Sequence, residues 1–175
     1  MAASLRTFIS RDRIADRVRE IGQATPRDYA PGPVVLVCVL KGACLFASDL
    51  LRAIDLPVHL DFVGTSSYGA AQTSSGEVRL TKDLDLTIAG LDVLLVEDIV
   101  DTGITRNYLL DMLRQRQPRS LHVVTLLDKP SRRLKPVPIA YIGFEIPNEF
   151  VVGYGMDYGE LYRNLPEICV LDNAS

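Results

Sequence analysis

Four short runs rich in aliphatic residues constrain the fold of this chain more than any other feature of its sequence. They lie at residues 34–40, 93–96, 121–127 and 139–144. Runs of this length are typical of strands that are buried on both faces of a parallel sheet. Before and between them, apolar residues at helical spacing predict helices at residues 11–22, 43–54 and 105–116. The alternation predicts an α/β fold with a mostly parallel central sheet flanked by helices.

The length and composition fit one globular domain, which we expect to span residues 1–175. The chain is 47% hydrophobic and 23% charged, close to the averages of folded proteins. Its 19 Lys and Arg residues against 22 Asp and Glu give a net charge of -3, which argues against a nucleic-acid partner. The longest aliphatic run falls far short of the roughly 20 residues that cross a bilayer, so we expect no membrane association.

The cysteines and the first residues favour a cytoplasmic location. Cys38, Cys44 and Cys169 are odd in number and form no Cys-x-x-Cys pair. We interpret them as reduced thiols rather than as a disulfide or a metal site. Residues 1–9 do not combine a basic start with an apolar core, so we expect no export signal.

The most informative segment follows the second aliphatic run. Glu97, Asp98 and Asp101 lie at the carboxyl end of a predicted strand, where open α/β sheets bind ligands. Residues 102–105 (Thr-Gly-Ile-Thr) then begin a predicted helix, and free amide groups at a helix N-terminus bind phosphate well. Acidic side chains beside such a phosphate site suit a ligand that also carries sugar hydroxyls or arrives with a cation.

Simpler interpretations of this segment explain less of it. Asp101 or Thr102 could cap the helix, but a cap accounts for one acidic residue and not for three. The chain has no GxxxxGK[ST] phosphate loop. Residues 153–159 miss the third glycine of a dinucleotide-binding motif by one position.

Residues 96–105 resemble the phosphoribosyl diphosphate (PRPP) motif of the type I phosphoribosyltransferases. Five further segments, in the same order along the chain, resemble the hypoxanthine or hypoxanthine-guanine phosphoribosyltransferases: residues 40–42, 66–69, 127–133, 150–158 and 163–166. The resemblance implies the type I fold, with a small hood built from the chain termini. It also implies a Mg²⁺-dependent purine-salvage enzyme that converts hypoxanthine or guanine and PRPP to IMP or GMP and pyrophosphate.

The resemblance assigns the ribose-phosphate site to the acidic segment. Glu97 and Asp98 are expected to hold the ribose hydroxyls, and Asp101 to act as the general base at purine N7. The residues implied in PRPP binding are Glu97, Asp98, Asp101, Thr102, Gly103, Ile104 and Thr105. Some relatives carry a basic residue at the position of Ile104, where only the backbone of this chain can contribute.

The remaining roles that the resemblance implies are spread over the chain. Pyrophosphate is expected at Lys41, Gly42 and Arg163, with a cis peptide before the lysine. The purine is expected at Lys129, Phe150, Val151 and Asp157, and Mg²⁺ at Asp157 with Glu97 and Asp98. Lys129 can donate to a 6-oxo group but conflicts with the amino group of adenine. Ser67 and Tyr68 lie in a small, polar segment, residues 64–76, that is expected to close over the site.

Two alternatives stay open at this point. The chain could be a catalytically idle nucleotide-sensing regulator with the same fold, or a transferase that prefers xanthine or a pyrimidine. The regulator is the weaker of these expectations, because this sequence shows no DNA-binding segment through which it would act. Family members are dimers or tetramers, so a homo-oligomer is expected, although no residue pattern indicates which.

Overall fold

The computed structural model describes residues 4–29, 31–67 and 78–172. Its strands are β1 (Ser4–Ile9), β2 (Val34–Leu40), β3 (Val58–Ser67), β4 (Val78–Lys82), β5 (Asp92–Val100), β6 (Ser120–Asp128), β7 (Ile139–Glu145), β8 (Val151–Val152) and β9 (Ile168–Asp172). Its helices are α1 (Arg11–Tyr29), α2 (Cys44–Ala53) and α3 (Ile104–Arg114), and residues Pro130–Arg132 form a 3₁₀ turn. None of these helices is long and apolar enough to cross a membrane.

The main sheet has six strands in the order β4-β3-β2-β5-β6-β7. Strands β3, β2, β5, β6 and β7 run parallel to one another, and β4 pairs antiparallel with β3 at one edge. The predicted α/β fold with a mostly parallel central sheet is therefore confirmed. All four predicted strands are present, and those at 93–96, 121–127 and 139–144 extend beyond the predicted residues. The interpretation of residues 139–144 as a buried strand was wrong, because β7 is an edge strand in which only Gly143 is buried.

The sheet is buried on both faces, which explains the continuous aliphatic run of β2. Val34, Leu36 and Cys38 pack on the face that carries α1 and α2. The alternate residues Val35 and Val37 pack on the opposite face, with the buried leucines of α3. A strand with both faces in the core needs apolar residues at every position, because successive side chains point to opposite faces.

Helix α1 is longer than the sequence predicts. We expected it to end at Gly22, but it continues to Tyr29 with Pro26 inside it. A β-carbon at residue 22 would overlap the backbone and side chain of Ala53. Gly22 therefore marks the place where α1 crosses α2, and the interpretation of this glycine as a helix stop was wrong.

The second sheet joins the two ends of the chain. β9 lies between β1 and β8, and both pairings are antiparallel. Ile168 and Val170 of β9 pack into the main core beside α1 and α2. The predicted hood, which we define as β1, β8 and β9 with the connection between β8 and β9, is confirmed. That one domain spans all of residues 1–175 stays a prediction.

The predicted polar segment begins within a strand. β3 continues to Ser67, which pairs with Val78 of β4, so residues 64–67 are not loop. Tyr68 and the rest of the expected closing segment lie outside the described residues.

Candidate active site

The carboxyl ends of three neighbouring strands place the predicted site residues at one edge of the main sheet. Lys41 follows β2, Asp101 follows β5 and Lys129 follows β6. These strands are adjacent and parallel, so the residues that follow them emerge on the same edge. The amide of Lys129 donates to the carbonyl of Val100 at 3.0 Å, which joins the ends of β5 and β6 directly.

The segment from Asp101 to Thr105 forms a turn that leads into α3. Gly103 is the N-cap of α3, with a left-handed φ of 83°. The carbonyl of Thr102 accepts hydrogen bonds from the amides of Leu134 (2.9 Å) and Lys135 (3.1 Å). Ile104 is exposed, and its backbone begins the helix. The turn therefore presents amide groups and threonine hydroxyls, the groups that bind a phosphate at a helix N-terminus.

The two adjacent carboxylates of β5 have different environments. The side chain of Glu97 is fully buried, whereas that of Asp98 is 20% exposed. Burial raises the pKa of both carboxyl groups, and the nearby Arg106 guanidinium opposes this rise. A ribose hydroxyl at the surface can therefore reach Asp98 but not Glu97 in this conformation.

Arg106 is a site residue that the sequence interpretation missed. Its Nε lies 2.6 Å from Glu97 Oε1, and its Nη2 lies 3.8 Å from Asp98 Oδ1. Nη2 also donates to the carbonyl of Ile99 at 3.2 Å. The contact with Glu97 is an ion pair without hydrogen-bond alignment, and neither Glu97 oxygen has a hydrogen-bond partner among the described residues. The only sequence signal was a basic residue in the first turn of a helix that follows three acidic residues.

Asp101 is held at the surface by two consecutive arginines, the last residue of the 3₁₀ turn and the residue after it. Arg132 Nε donates to Asp101 Oδ1 at 3.0 Å, and Arg133 Nε donates to the backbone carbonyl of Asp101 at 3.0 Å. Arg133 also pairs with the carboxylate of Asp128 at the end of β6. The candidate base is therefore fixed in position with part of its carboxylate open to solvent.

A hydrogen bond from Lys129 joins the end of β6 to the segment that carries Phe150. Lys129 is only 8% exposed, and its Nζ donates to the carbonyl of Glu149 at 2.8 Å. Burial lowers the pKa of Lys129, whereas the negative charge of Asp101 opposes that effect. Phe150 is 44% exposed and meets the Tyr158 ring edge to face, with 5.6 Å between centroids. Val151 begins β8 and is buried. One face of the exposed Phe150 ring can thus receive a flat ligand.

The loop after β2 is shaped by close contacts. The peptide between Leu40 and Lys41 is cis, as the resemblance implies. A β-carbon at Gly42 would overlap the carboxylate of Asp98, so a larger residue there would displace that carboxylate. The Lys41 ammonium lies 2.9 Å from Glu160 Oε2.

A cleft of about 350 Å³ adjoins this loop, between β2, β3, β4 and the hood connection. Its lining includes three cationic side chains, Lys41, Lys82 and Arg163, and one carboxylate, that of Glu160. These cations are suited to an anion, which would compete with the carboxylates that pair with them, Glu160 for Lys41 and Arg163 and Asp85 for Lys82.

Arg163 contacts the candidate metal ligand Asp157 within the hood connection. Its Nη2 lies 2.9 Å from Asp157 Oδ1 and 3.3 Å from Glu160 Oε1. The other oxygen of Asp157 accepts a hydrogen bond from the amide of Glu160 at 2.8 Å. Glu160 is the second residue that the sequence interpretation missed, and hydrogen bonding to Lys41 lowers its pKa. Among the described residues, no three His, Cys, Asp or Glu side chains form a ready metal cluster.

Comparison with known proteins identifies the class to which this fold and site belong. Residues 10–159 match the phosphoribosyl transferase domain. The chain belongs to the phosphoribosyltransferase family.

The individual relatives of the chain narrow this family to one kind of enzyme. The chain is 46% identical to the hypoxanthine-guanine phosphoribosyltransferase of Bacillus subtilis, over 97% of this chain and 94% of that protein. It is 55% identical to the same enzyme of Mycobacterium avium, over 91% of this chain and 80% of that protein. The crystal structure of a Bacillus anthracis hypoxanthine-guanine phosphoribosyltransferase superimposes with a TM-score of 0.90 and 44% identity, covering 94% and 97% of the two chains.

The chain also matches part of some longer proteins. It is 47% identical to a bifunctional TilS/HprT protein of Listeria innocua over 95% of this chain, which spans only 26% of that relative's length. The resemblance to hypoxanthine-guanine phosphoribosyltransferases is confirmed by these comparisons.

Proposed function

We propose that this chain catalyses purine salvage, converting hypoxanthine or guanine and PRPP to IMP or GMP and pyrophosphate. One observation carries the proposal: a single sheet edge holds the helix N-terminal turn of residues 101–105, the partly exposed carboxylate of Asp98, the buried Lys129 and a cleft lined by three cationic side chains. These match, in turn, the 5′-phosphate, the ribose, the 6-oxopurine and the leaving pyrophosphate. A nucleotide sensor would need the first three groups, whereas the cationic cleft favours an enzyme that releases pyrophosphate.

The reaction breaks the bond between ribose C1′ and the pyrophosphate oxygen and forms a bond from C1′ to purine N9. Positive charge develops on the ribose as pyrophosphate leaves. Asp98 would contact the ribose hydroxyls, and the negative charge of the acidic segment would stabilise the cationic sugar. Lys41, Arg163 and the amide groups near Gly42 would receive the negative charge on pyrophosphate.

Asp101 would accept the proton that the purine loses at N7. Its hydrogen bond with Arg132 holds the carboxylate in one orientation before the base binds. The proton would then reside on an Asp101 oxygen, from which it can pass to solvent because the side chain is partly exposed.

Lys129 would select the base. The carbonyl of Glu149 accepts one of the three ammonium hydrogens, which leaves two for other acceptors. A 6-oxo group can accept one of them, but the amino group of adenine would bring donor against donor. Phe150 would stack on the purine, and the backbone near Val151 and Asp157 would read the opposite edge. Xanthine differs there at position 2, so a xanthine preference is the second candidate.

The site residues fit Mg²⁺ bound chiefly through substrate oxygens. Asp157 and Asp98 are partly exposed carboxylates, and Mg²⁺ commonly takes one or two protein carboxylates together with phosphates and water. Asp157 would hold the ion, and Glu97, being buried, would contribute only its charge. When bound, the ion would neutralise the charge on pyrophosphate.

Steady-state rates with hypoxanthine, guanine, xanthine and adenine, measured side by side with PRPP and Mg²⁺, test the function. Turnover of hypoxanthine and guanine with none of adenine is the expected result. Nucleotide binding without product would favour the sensor, and fastest turnover of xanthine would change the assigned base. A cytoplasmic location and a homodimer or homotetramer are proposals, and light scattering after gel filtration measures the oligomeric state.

A further inference from the structure

Tyr154 has an unusual conformation that none of the roles above explains. It lies between Gly153 and Gly155 in the hood connection, and its φ is 47°, in the left-handed region. Bulky residues rarely adopt this conformation, and those that do often mark functional sites. The side chain is only 7% exposed although it ends in a polar hydroxyl.

One hydrogen bond to α2 satisfies that hydroxyl. Tyr154 donates to Asp49 Oδ2 at 2.5 Å, and its amide donates to the carbonyl of Leu165 at 2.8 Å. Burial and the negative charge of Asp49 raise the pKa of Tyr154, so the hydroxyl remains a donor. Tyr154 is therefore held at two points: its backbone amide bonds to the hood connection, and its hydroxyl bonds to α2.

The next residue, Gly155, contacts two residues of the proposed pyrophosphate site, Arg163 and Gly42. The Gly155 amide donates to the carbonyl of Arg163 at 3.0 Å, and its own carbonyl accepts from Arg163 Nη1 at 2.7 Å. A β-carbon on Gly155 would overlap the carbonyl oxygen of Gly42. Gly42 is in turn packed against the carboxylate of Asp98. Gly155, Gly42 and Asp98 are thus stacked without spare room.

These contacts form a closed ring. α2 begins at Cys44, two residues after Gly42, and carries Asp49. From Asp49 the ring passes through the hydroxyl of Tyr154 to Gly155, and Gly155 packs back onto Gly42. The hydrogen bond between Tyr154 and Asp49 is the side-chain link that closes the ring, since the others are covalent or steric.

We propose that Tyr154, anchored by Asp49, is a positioning residue for pyrophosphate. It holds Gly155 against Gly42 and so fixes the loop after β2, which carries Lys41 and Gly42, relative to Arg163. The inference rests on the proposed function, because it assumes that Lys41, Gly42 and Arg163 bind pyrophosphate. It assigns no direct contact with substrate to either member of the pair.

The decisive comparison is Tyr154→Phe against Tyr141→Phe. Tyr141 donates to the carboxylate of Asp28 at the far side of α1, so the control loses the same type of bond away from the site. For Tyr154→Phe we expect the KM for PRPP and the inhibition constant of pyrophosphate to rise about tenfold, the worth of one hydrogen bond to a charged group. The KM for hypoxanthine should stay within about twofold of the wild-type value, because that hydrogen bond is not at the purine site.

Tyr141→Phe should lower the melting temperature comparably and leave all of these constants within about twofold of wild type. The proposal is overturned if Tyr154→Phe changes the PRPP and pyrophosphate constants no more than the control does. It is also overturned if the hypoxanthine and PRPP constants rise together, which would indicate general loosening.

Two variants of Asp49 test the anchor independently of the aromatic ring. Asp49→Asn keeps an acceptor and should retain near-normal PRPP binding, whereas Asp49→Ala should reproduce the defect of Tyr154→Phe. The double variant, Tyr154→Phe with Asp49→Ala, should be no worse than either single one. Normal PRPP binding by Asp49→Ala would remove Asp49 from the proposal.

Calorimetric titration with pyrophosphate separates this inference from the proposed function. Wild-type protein that binds pyrophosphate but turns over no purine would end the proposed function and leave the positioning role testable by the same variants. Unaltered pyrophosphate binding in Tyr154→Phe, with normal turnover, would end the positioning role alone.

Discussion

Replacing Arg106 by methionine tests how the buried carboxylate of the site is stabilised. Glu97 is fully buried, and its nearest cation is the Arg106 guanidinium, 2.6 Å away. Methionine fills a similar volume but leaves the carboxylate without a compensating charge. Arg106→Met should therefore destabilise the fold as well as the site.

The size of the effect follows from burial. Removing one partner of a buried ion pair costs about 3–5 kcal/mol when the other group stays charged and desolvated, so the full cost is expected at a pH where Glu97 is ionised. Replacing both partners by uncharged residues is far less costly, so Glu97→Gln combined with Arg106→Met should recover most of the loss. Arg114→Met is the matched control, since Arg114 forms an exposed pair with Asp111 on the same helix and should cost less than about 1 kcal/mol.

Urea unfolding of wild type, both single variants, the double variant and the control measures these free energies. Burial raises the pKa of Glu97, and loss of Arg106 should raise it further. Glu97 stays protonated in the folded wild type up to its pKa of about 8, and to a higher pH in Arg106→Met. Both proteins therefore lose stability in parallel as the pH rises towards 8 and only the variant continues to lose it beyond, so the deficit of Arg106→Met should grow as the pH rises above about 8. A deficit no larger than that of Arg114→Met, or a double variant less stable than both single ones, would refute this account.

Three further outcomes are expected. Asp101→Asn should lower the single-turnover rate by roughly 10²–10⁴-fold with PRPP binding nearly intact, and an unchanged rate would remove Asp101 as the base. Lys129→Ala should raise the KM for hypoxanthine by about 10–100-fold and spare that for PRPP, whereas the exposed-site control Lys135→Ala should change neither. Hydrogen bonding to Arg119 lowers the pKa of Asp92, so this pair should stabilise the fold at neutral pH and lose that effect as the pH falls below the ordinary aspartate range. Urea midpoints for Asp92→Asn should accordingly fall below wild type at pH 7, and the difference should shrink as the pH is lowered below the ordinary aspartate range.

Local sequence patterns predict the strands of this fold because burial on both faces leaves a continuous apolar run. The same patterns misjudge α1, where Gly22 looks like a helix end. The reason for the glycine is its contact with Ala53, 31 positions later in the chain. A tertiary contact of this kind has no signature in a local window, so the length of α1 could not be predicted.

The residues of the candidate site likewise fall into those that local sequence patterns predict and those that they do not. Side chains that directly follow buried strands, such as Asp101 and Lys129, could be placed from the sequence because parallel strands end at a common edge. Arg106 and Glu160 could not, since each acts through a partner that only the fold brings near. Lys41 and Glu160, for example, are 119 positions apart.

The pair Glu97 and Asp98 shows why adjacency in the sequence does not imply a shared role. Successive side chains of a strand point to opposite faces. Glu97 follows Val93 and Leu95, which pack on the α3 face, and it accordingly meets Arg106 of α3. Asp98 follows the opposite alternation and packs against Gly42 beside the start of α2. The two neighbouring carboxylates therefore have different surroundings, Glu97 being fully buried beside Arg106 and Asp98 partly exposed beside Gly42.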